Sequence, residues 1–244
     1  MFRELASYYD TYLEAKDYRS ESRRLESIAR RYGRSRGRTW LDVGCGTGRH
    51  LAYLRKHRSV AGIDLSPTML RIARRRLPGI PLRRGDARTF RLGRQFEVVS
   101  CLFGVFGHLE SERDLRRAFE RIAAHVAPGG VAIVEPWVSP AQYRAGMIHL
   151  MSHDDPTTKL VRLAYSTRRG SRLVVRSHYL VATRGRPVLH YEEVSIGRMV
   201  APRDLLRMME AVGLRSRVVA RGLIPGRSLL VGVKRSHSGR ARRR

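Results

Sequence analysis

The chain has 244 residues, 42% hydrophobic and 29% charged, enough apolar material for one main core and too much for a disordered or fibrous protein. Its apolar runs, such as Val131–Val134, are strand-length against the roughly 18–20 residues of a membrane span, and Met1–Asp10 carries acids with no apolar stretch, so neither a bilayer crossing nor a secretory leader is expected. Forty-nine Lys plus Arg stand against 21 Asp plus Glu, a formal charge of +28, and only Lys16, Lys56, Lys159 and Lys234 among the basic residues are lysine.

Residues 1–38 read as a helical layer: Tyr8, Tyr9 and Tyr12 fall at helix spacing, and Leu25, Ile28, Ala29 and Tyr32 form an apolar stripe. From Thr39 strands and helices alternate. Strands are predicted at Thr39–Val43, Val60–Ile63, Pro81–Arg83, Phe96–Cys101 and Val131–Val134, and helices at Thr47–Lys56, Ser66–Arg76 and Glu112–His125. Ser66-Pro67 supplies a capping hydroxyl before a proline at the first helical position, and Pro128-Gly129-Gly130 is a turn. This alternation predicts an α/β fold, a Rossmann-like doubly wound and mostly parallel sheet behind the N-terminal helical layer.

After Pro136 the texture changes. Lys159–Ser166, Arg172–Ala182 and Val188–Ile196 are rich in Val, Leu and Tyr and predict an inserted antiparallel β meander of three strands. A helix at Pro202–Val212, stopped by Gly213, and strands at Arg215–Ala220 and Ser228–Lys234 close the core. The expected organisation is a cap over 1–38, a core over 39–138 and 202–234, a β platform over 139–201, and a basic, disordered tail over 235–244.

The first strand runs into Gly44-Cys45-Gly46-Thr47-Gly48 before a helix. Such glycines let the chain turn sharply and let a ligand approach the backbone at a helix end. The dinucleotide pattern G-x-G-x-x-G would need glycine at Arg49, so hydride transfer is disfavoured while a nucleotide-like ligand fits. Asp64, 18 residues past Gly46 at the tip of the second strand, offers a carboxylate to both ribose hydroxyls. Gly85-Asp86-Ala87 after the third strand places another acid where an adenine amino group would lie.

In this order, Leu41–Gly48, Asp64-Leu65-Ser66, Gly85-Asp86 and Pro128-Gly129-Gly130 resemble the class I S-adenosylmethionine-dependent methyltransferases. Tyr9-Asp10, Lys16-Asp17-Tyr18, Cys45–Leu51, Gly107-His108-Leu109, Val134–Trp137 and His178–Ala182 narrow the resemblance to the bacterial N,N-dimethyltransferases of nucleotide-linked deoxyamino sugars. That resemblance implies methyl transfer from S-adenosylmethionine to a small acceptor. The implied cofactor contacts are Tyr9, Tyr18, Asp42, Gly44, Gly46, Asp64, Leu65, Met69, Asp86, Ala87 and Cys101. Tyr9 and Tyr18 would close over the cofactor, and the meander would serve as a platform for substrate and for a homodimer. The family carries an additional N-terminal segment with a substrate-side tyrosine, which this chain is expected to lack, and its aromatic pair after the proline is here Trp137-Val138.

Transfer to an amine asks the protein to hold nucleophile and methyl close together with water excluded, and to keep the amine unprotonated. His108, beyond the fourth strand, is the candidate catalytic group that orients the amine or takes its proton. Trp137 and Arg144 would line the acceptor pocket, and Arg227 in the last turn would suit a nucleotide diphosphate. His149 and His153, beside Asp154 and Asp155, would hold a metal only on one helix face with a third ligand, and no metal is expected.

The +28 charge has two readings, a general preference for arginine or selection for an anionic partner. A second reading within the same methyl-transfer chemistry is O- or N-methylation of another small metabolite; from a different class, and not favoured, comes nucleic acid as partner, through RNA methylation or plain binding. The chain has no stacking pattern of the RRM kind. Cys45 and Cys101 show neither metal spacing nor a disulfide framework, which fits the cytoplasm.

Overall fold

A computed structural model describes residues 5–35, 37–224 and 226–236. Seven strands form one sheet in the order β10-β11-β5-β4-β1-β2-β3. β1 (Thr39–Val43), β2 (Ser59–Asp64), β3 (Leu82–Arg84), β4 (Phe96–Cys101) and β5 (Val126–Val134) are parallel, and β10 (Leu214–Val219) and β11 (Leu229–Lys234) close one edge antiparallel. Chain order runs outward from β1 in both directions, so the crevice beyond the carboxyl ends of β1 and β4 is the switch point where open α/β sheets bind ligands. Both faces are covered, which is why the strands read as continuous apolar runs. Leu41, Val43, Val99, Cys101 and Val134 pack on α5 (Glu112–His125) and α6 (Pro202–Ala211). Trp40, Val98 and Ile133 pack on the other side, against α2 (Tyr18–Tyr32), α3 (Arg49–Leu54) and α4 (Pro67–Arg76).

Local chemistry sets the helix starts. Ser66 Oγ accepts from the Met69 N–H with Pro67 next in line, Ser111 Oγ accepts from the Asp114 N–H, and Asp17 accepts from the Ser20 N–H. α3 begins at Arg49, two residues later than expected, because Gly48 takes a left-handed conformation as its cap. The helical layer is broken into a 3₁₀ turn (Leu5–Tyr8), α1 (Tyr9–Tyr12) and α2. β5 starts at Val126, before the Pro128-Gly129-Gly130 turn, because Val126 pairs with Phe96 across an irregular register.

The second sheet is a purely antiparallel meander of four strands rather than the expected three: β6 (Ile148–Asp154), β7 (Thr158–Arg169), β8 (Arg172–Thr183) and β9 (Leu189–Arg198). Its inner face buries Leu160, Tyr179 and Val181 against Leu5, Tyr12 and Leu13 of the cap. The expected basic tail lies outside the described residues from residue 237 onward. No helix among the described residues is long and apolar enough to cross a membrane.

Candidate active site

The loop after β1 is docked onto β2 by the Gly44 and Cys45 N–H groups, which both donate to the Ile63 carbonyl at 2.8 and 2.9 Å. Gly46 has φ +54°, a conformation that disfavours other residues, and a Cβ there would meet nothing within 4 Å. At Gly46 the loop therefore presents its main chain to open space. Asp64 holds this geometry from the tip of β2: one carboxylate oxygen accepts from the Gly46 N–H and the other from the Ser66 N–H, each at 2.8 Å. A carboxylate has about four acceptor positions, so Asp64 keeps room for a ligand. Burial raises the Asp64 carboxyl above the usual range, and the amides oppose that rise.

Beneath the loop, the Trp40 indole donates to Ser100 Oγ at 2.8 Å and Ser100 Oγ donates to Asp42 at 2.7 Å. Burial pushes the Asp42 carboxyl up to about 6. At the tip of β3, Asp86 is gripped by the Arg88 backbone N–H and guanidinium, which hold it below the ordinary carboxylate value. It thus stays ionised and fixed in direction. Leu65 is exposed beside Asp64, Ala87 is half-buried, and Met69 is buried in the first turn of α4. Cys101 is fully buried at the end of β4, and its carbonyl accepts the Glu135 N–H.

The cap is tied to this loop by contacts that only the fold creates. Asp10 accepts from Thr47 Oγ1 at 2.7 Å and from Arg76 at 2.6 Å. Glu21 accepts from both Lys16 and His50, the latter at 2.7 Å. Tyr18 is buried edge-on to His50, with the Arg49 guanidinium 4.6 Å from its ring centroid. Burial raises the Tyr9 and Tyr18 phenols, and the charges of Asp10 and Asp64 raise Tyr9 further, so both remain neutral donors.

The acceptor side is built on the segment after β4. Phe103 sits at φ +57°, a strained backbone for an aromatic residue, and its N–H donates to Glu135 at 2.8 Å. A 3₁₀ turn over Val105–His108 brings the His108 ring onto Trp137, with centroids 5.7 Å apart and planes 28° from parallel. His108 reaches solvent, yet protein packed around its imidazole holds the pKa below the ordinary value, so it is neutral at pH 7. Trp137 has room only because three of its neighbours are glycines: Cβ atoms at Gly104, Gly107 and Gly197 would lie 2.9, 2.4 and 1.5 Å from its ring. Sequence reasoning missed this box, and the paired glycines before His108 were its only local sign.

Arg227 is half-buried, and burial lowers its guanidinium pKa from the ordinary value while the charge of Glu135 opposes that shift. Arg144 is exposed and spent locally on the Ala141 and Tyr143 carbonyls. His149 and His153 lie on strand β6 rather than on a helix, and His153 is bonded to Glu14 and Asp155. Among the described residues no group of three or more His, Cys, Asp or Glu side chains forms a metal site.

A methyltransferase-domain family model matches residues 41–130, the glycine loop through the turn in β5. The chain is 38% identical, over 94% of its length and 91% of the relative's, to the dTDP-3-amino-3,6-dideoxy-alpha-D-glucopyranose N,N-dimethyltransferase of Streptomyces fradiae. The chain belongs to this family of sugar N-methyltransferases. The solved structure of DesVI from Streptomyces venezuelae superimposes with a TM-score of 0.90 at 33% identity, covering 96% of this chain and all of that one. SAM-bound CalS10, an amino pentose methyltransferase from Micromonospora echinaspora, gives 0.84 at 31% identity, covering 96% and 98%.

As a class I enzyme this methyltransferase uses S-adenosylmethionine, and its residues fit that group. Open space faces Gly46, Asp64 keeps acceptor room beside it, and Asp86 is ionised at the next strand tip.

Proposed function

We propose that the methyltransferase N-methylates an amino sugar carried on a nucleoside diphosphate. One observation carries this reading: the match to the Streptomyces fradiae enzyme spans nearly the whole chain, including the cap and platform that lie outside the cofactor motifs. The bound cofactor supplies an electrophilic methyl group, and the rest is positioning. Tyr9 and Tyr18 cover the glycine loop and exclude water from it. His108, neutral and stacked on Trp137, orients the amine or accepts its proton. Arg227 faces the acceptor's diphosphate, which gives the anionic acceptor a half-buried positive partner.

The same reading makes a second copy of the chain the partner of the platform. Ile148, Leu150, Leu163, Leu180, Val194 and Ile196 are exposed on the meander, and the strand register puts them on one face. An apolar sheet face of that kind suits a homodimer. Light scattering on the wild type and on Leu150→Arg tests it, with dimer and monomer expected in turn. The two cysteines are buried and unpaired, compatible with a cytoplasmic enzyme.

The deciding assay follows methyl incorporation into nucleotide amino sugars, free amines and bulk RNA. Transfer to the nucleotide amino sugars supports the proposal. Transfer to RNA alone, with a steep dependence on salt, overturns it, because contacts to many phosphates release many counterions whereas a single nucleotide sugar does not.

A further inference from the structure

We propose that Glu135 receives the amine of the methyl acceptor and sets the preference of the enzyme for an amine over a hydroxyl. The residue follows β5 directly, its N–H bonded to the Cys101 carbonyl at the end of β4. Its carboxylate therefore lies where the segment leading to His108 and the segment leading to Trp137 leave the sheet. Glu135 is fully buried, with one oxygen accepting from Phe103 N–H at 2.8 Å and the other without any hydrogen-bond partner. A buried carboxylate oxygen left bare is costly, and native proteins seldom keep one without a use.

The nearby cations do not satisfy it. Lys16 is bonded to Glu21, and no ion pair within 4 Å joins Arg227 to Glu135. The strained Phe103 backbone that aims its N–H at Glu135 fixes the carboxylate in direction, as expected of a preorganised group. Burial raises the Glu135 carboxyl, and the Phe103 amide and the charges of Lys16 and Arg227 oppose that rise; in its ionised form the group only accepts hydrogen bonds, so the missing partner is a donor. An amine, arriving charged or neutral, offers more N–H donors than a hydroxyl and gains a charge-assisted bond when protonated. Glu135 is thus assigned binding and orientation, while the proton is left to His108.

This inference rests on the amino-sugar reading. The experiment compares wild type with Glu135→Gln, which keeps the shape and an acceptor for Phe103 but removes the charge. Dissociation constants are measured for a nucleotide amino sugar, for its hydroxyl analogue and for the cofactor, and KM and kcat for the two acceptors. Wild type should prefer the amine, and Glu135→Gln should lose roughly 10–100-fold of that preference, mainly through KM, with cofactor affinity unchanged. An unchanged preference overturns the proposal, and so does a loss confined to cofactor binding. Should Glu135→Gln fail to fold, Glu135→Asp keeps the charge but withdraws it, and a wild-type preference in that variant overturns the proposal equally. If wild type binds and methylates no nucleotide amino sugar, the amino-sugar reading fails and takes this inference with it. Turnover with an unaltered preference sinks the role of Glu135 alone.

Discussion

Gly197→Ala is the smallest change that should disable the acceptor side without touching it directly. Gly197 lies in β9 and is not among the residues of positive φ, so alanine is allowed there by the backbone and the whole effect is steric. Its Cβ would stand 1.5 Å from Trp137 Cζ3, 2.2 Å from Cε3 and 2.6 Å from Cη2. To regain ordinary carbon–carbon contact the ring must retreat by roughly 2 Å. Gly104 and Gly107 already touch it, and His108 is stacked upon it. Overpacking of this kind costs about 1–3 kcal/mol, which for a chain of this size lowers the melting temperature by roughly 2–12 °C. Because His108 moves with its stacking partner, turnover should fall by about 10²-fold, the usual consequence of a misplacement near 1 Å. Thermal melting and single-turnover kinetics measure the two effects. Trp137→Phe removes the three ring atoms that collide, so the double variant should be less impaired than the sum of the single ones. A Gly197→Ala protein with wild-type melting and turnover, or strict additivity in the double variant, would refute the packing argument.

Asp64→Ala should weaken cofactor binding by about 2–4 kcal/mol, since it removes charge-assisted bonds to the ligand and the anchor of the Gly46 amide; calorimetric titration reads this directly, and unchanged affinity would disprove the role. His108→Ala should lower turnover by roughly 10–10⁴-fold with cofactor affinity intact. His108→Asn separates its two roles, near-full activity meaning orientation and a large loss meaning proton transfer. In the second case kcat/KM should fall as pH drops through a value below the ordinary histidine pKa, because the protein packed around His108 lowers it and only its neutral form accepts a proton. The Asp42 carboxyl, pushed up to about 6 from 3.8, takes up a proton on folding, so its contribution is fully present below pH 3.8 and is lost as pH rises through about 6. Melting of Asp42→Asn relative to wild type should therefore rise from about pH 4 to about pH 7 and then level off; a difference independent of pH would contradict the burial argument.

The features legible in the sequence are those whose cause is local. The sequence predicts a helix from about Glu112 to His125, and α5 spans those residues, its start fixed locally by the Ser111 cap. Gly44, Gly46 and Gly48 act through their own backbone torsions, and Asp64 follows at the fixed distance that one helix and one strand impose. Strand β6 was hidden because it is an edge strand mixing histidines with apolar residues, and only pairing with β7 makes it a strand. The Asp10–Thr47–Arg76 clamp is equally invisible, since its members share no local pattern and meet only after the cap folds back.

The acceptor side shows why cofactor and substrate residues differ in legibility. The cofactor loop carries its geometry in glycine torsions, whereas Trp137 owes its position to Gly104 and Gly107 on one segment and Gly197 on a distant strand. Each of those glycines looks dispensable alone, and Gly197 lies in a different sheet from β4 and β5. Glu135 did leave a trace: an acid directly after the apolar run Val131–Val134 must either reach solvent or be buried for a purpose. Only the structure decides between those, by burying the carboxylate completely and pairing one of its two oxygens. A site made of long-range contacts can change its acceptor through substitutions far away in sequence, while the glycine loop and Asp64 keep their geometry. That division explains how a family model confined to residues 41–130 recognises the chemistry, while recognition of the acceptor needs the rest of the chain.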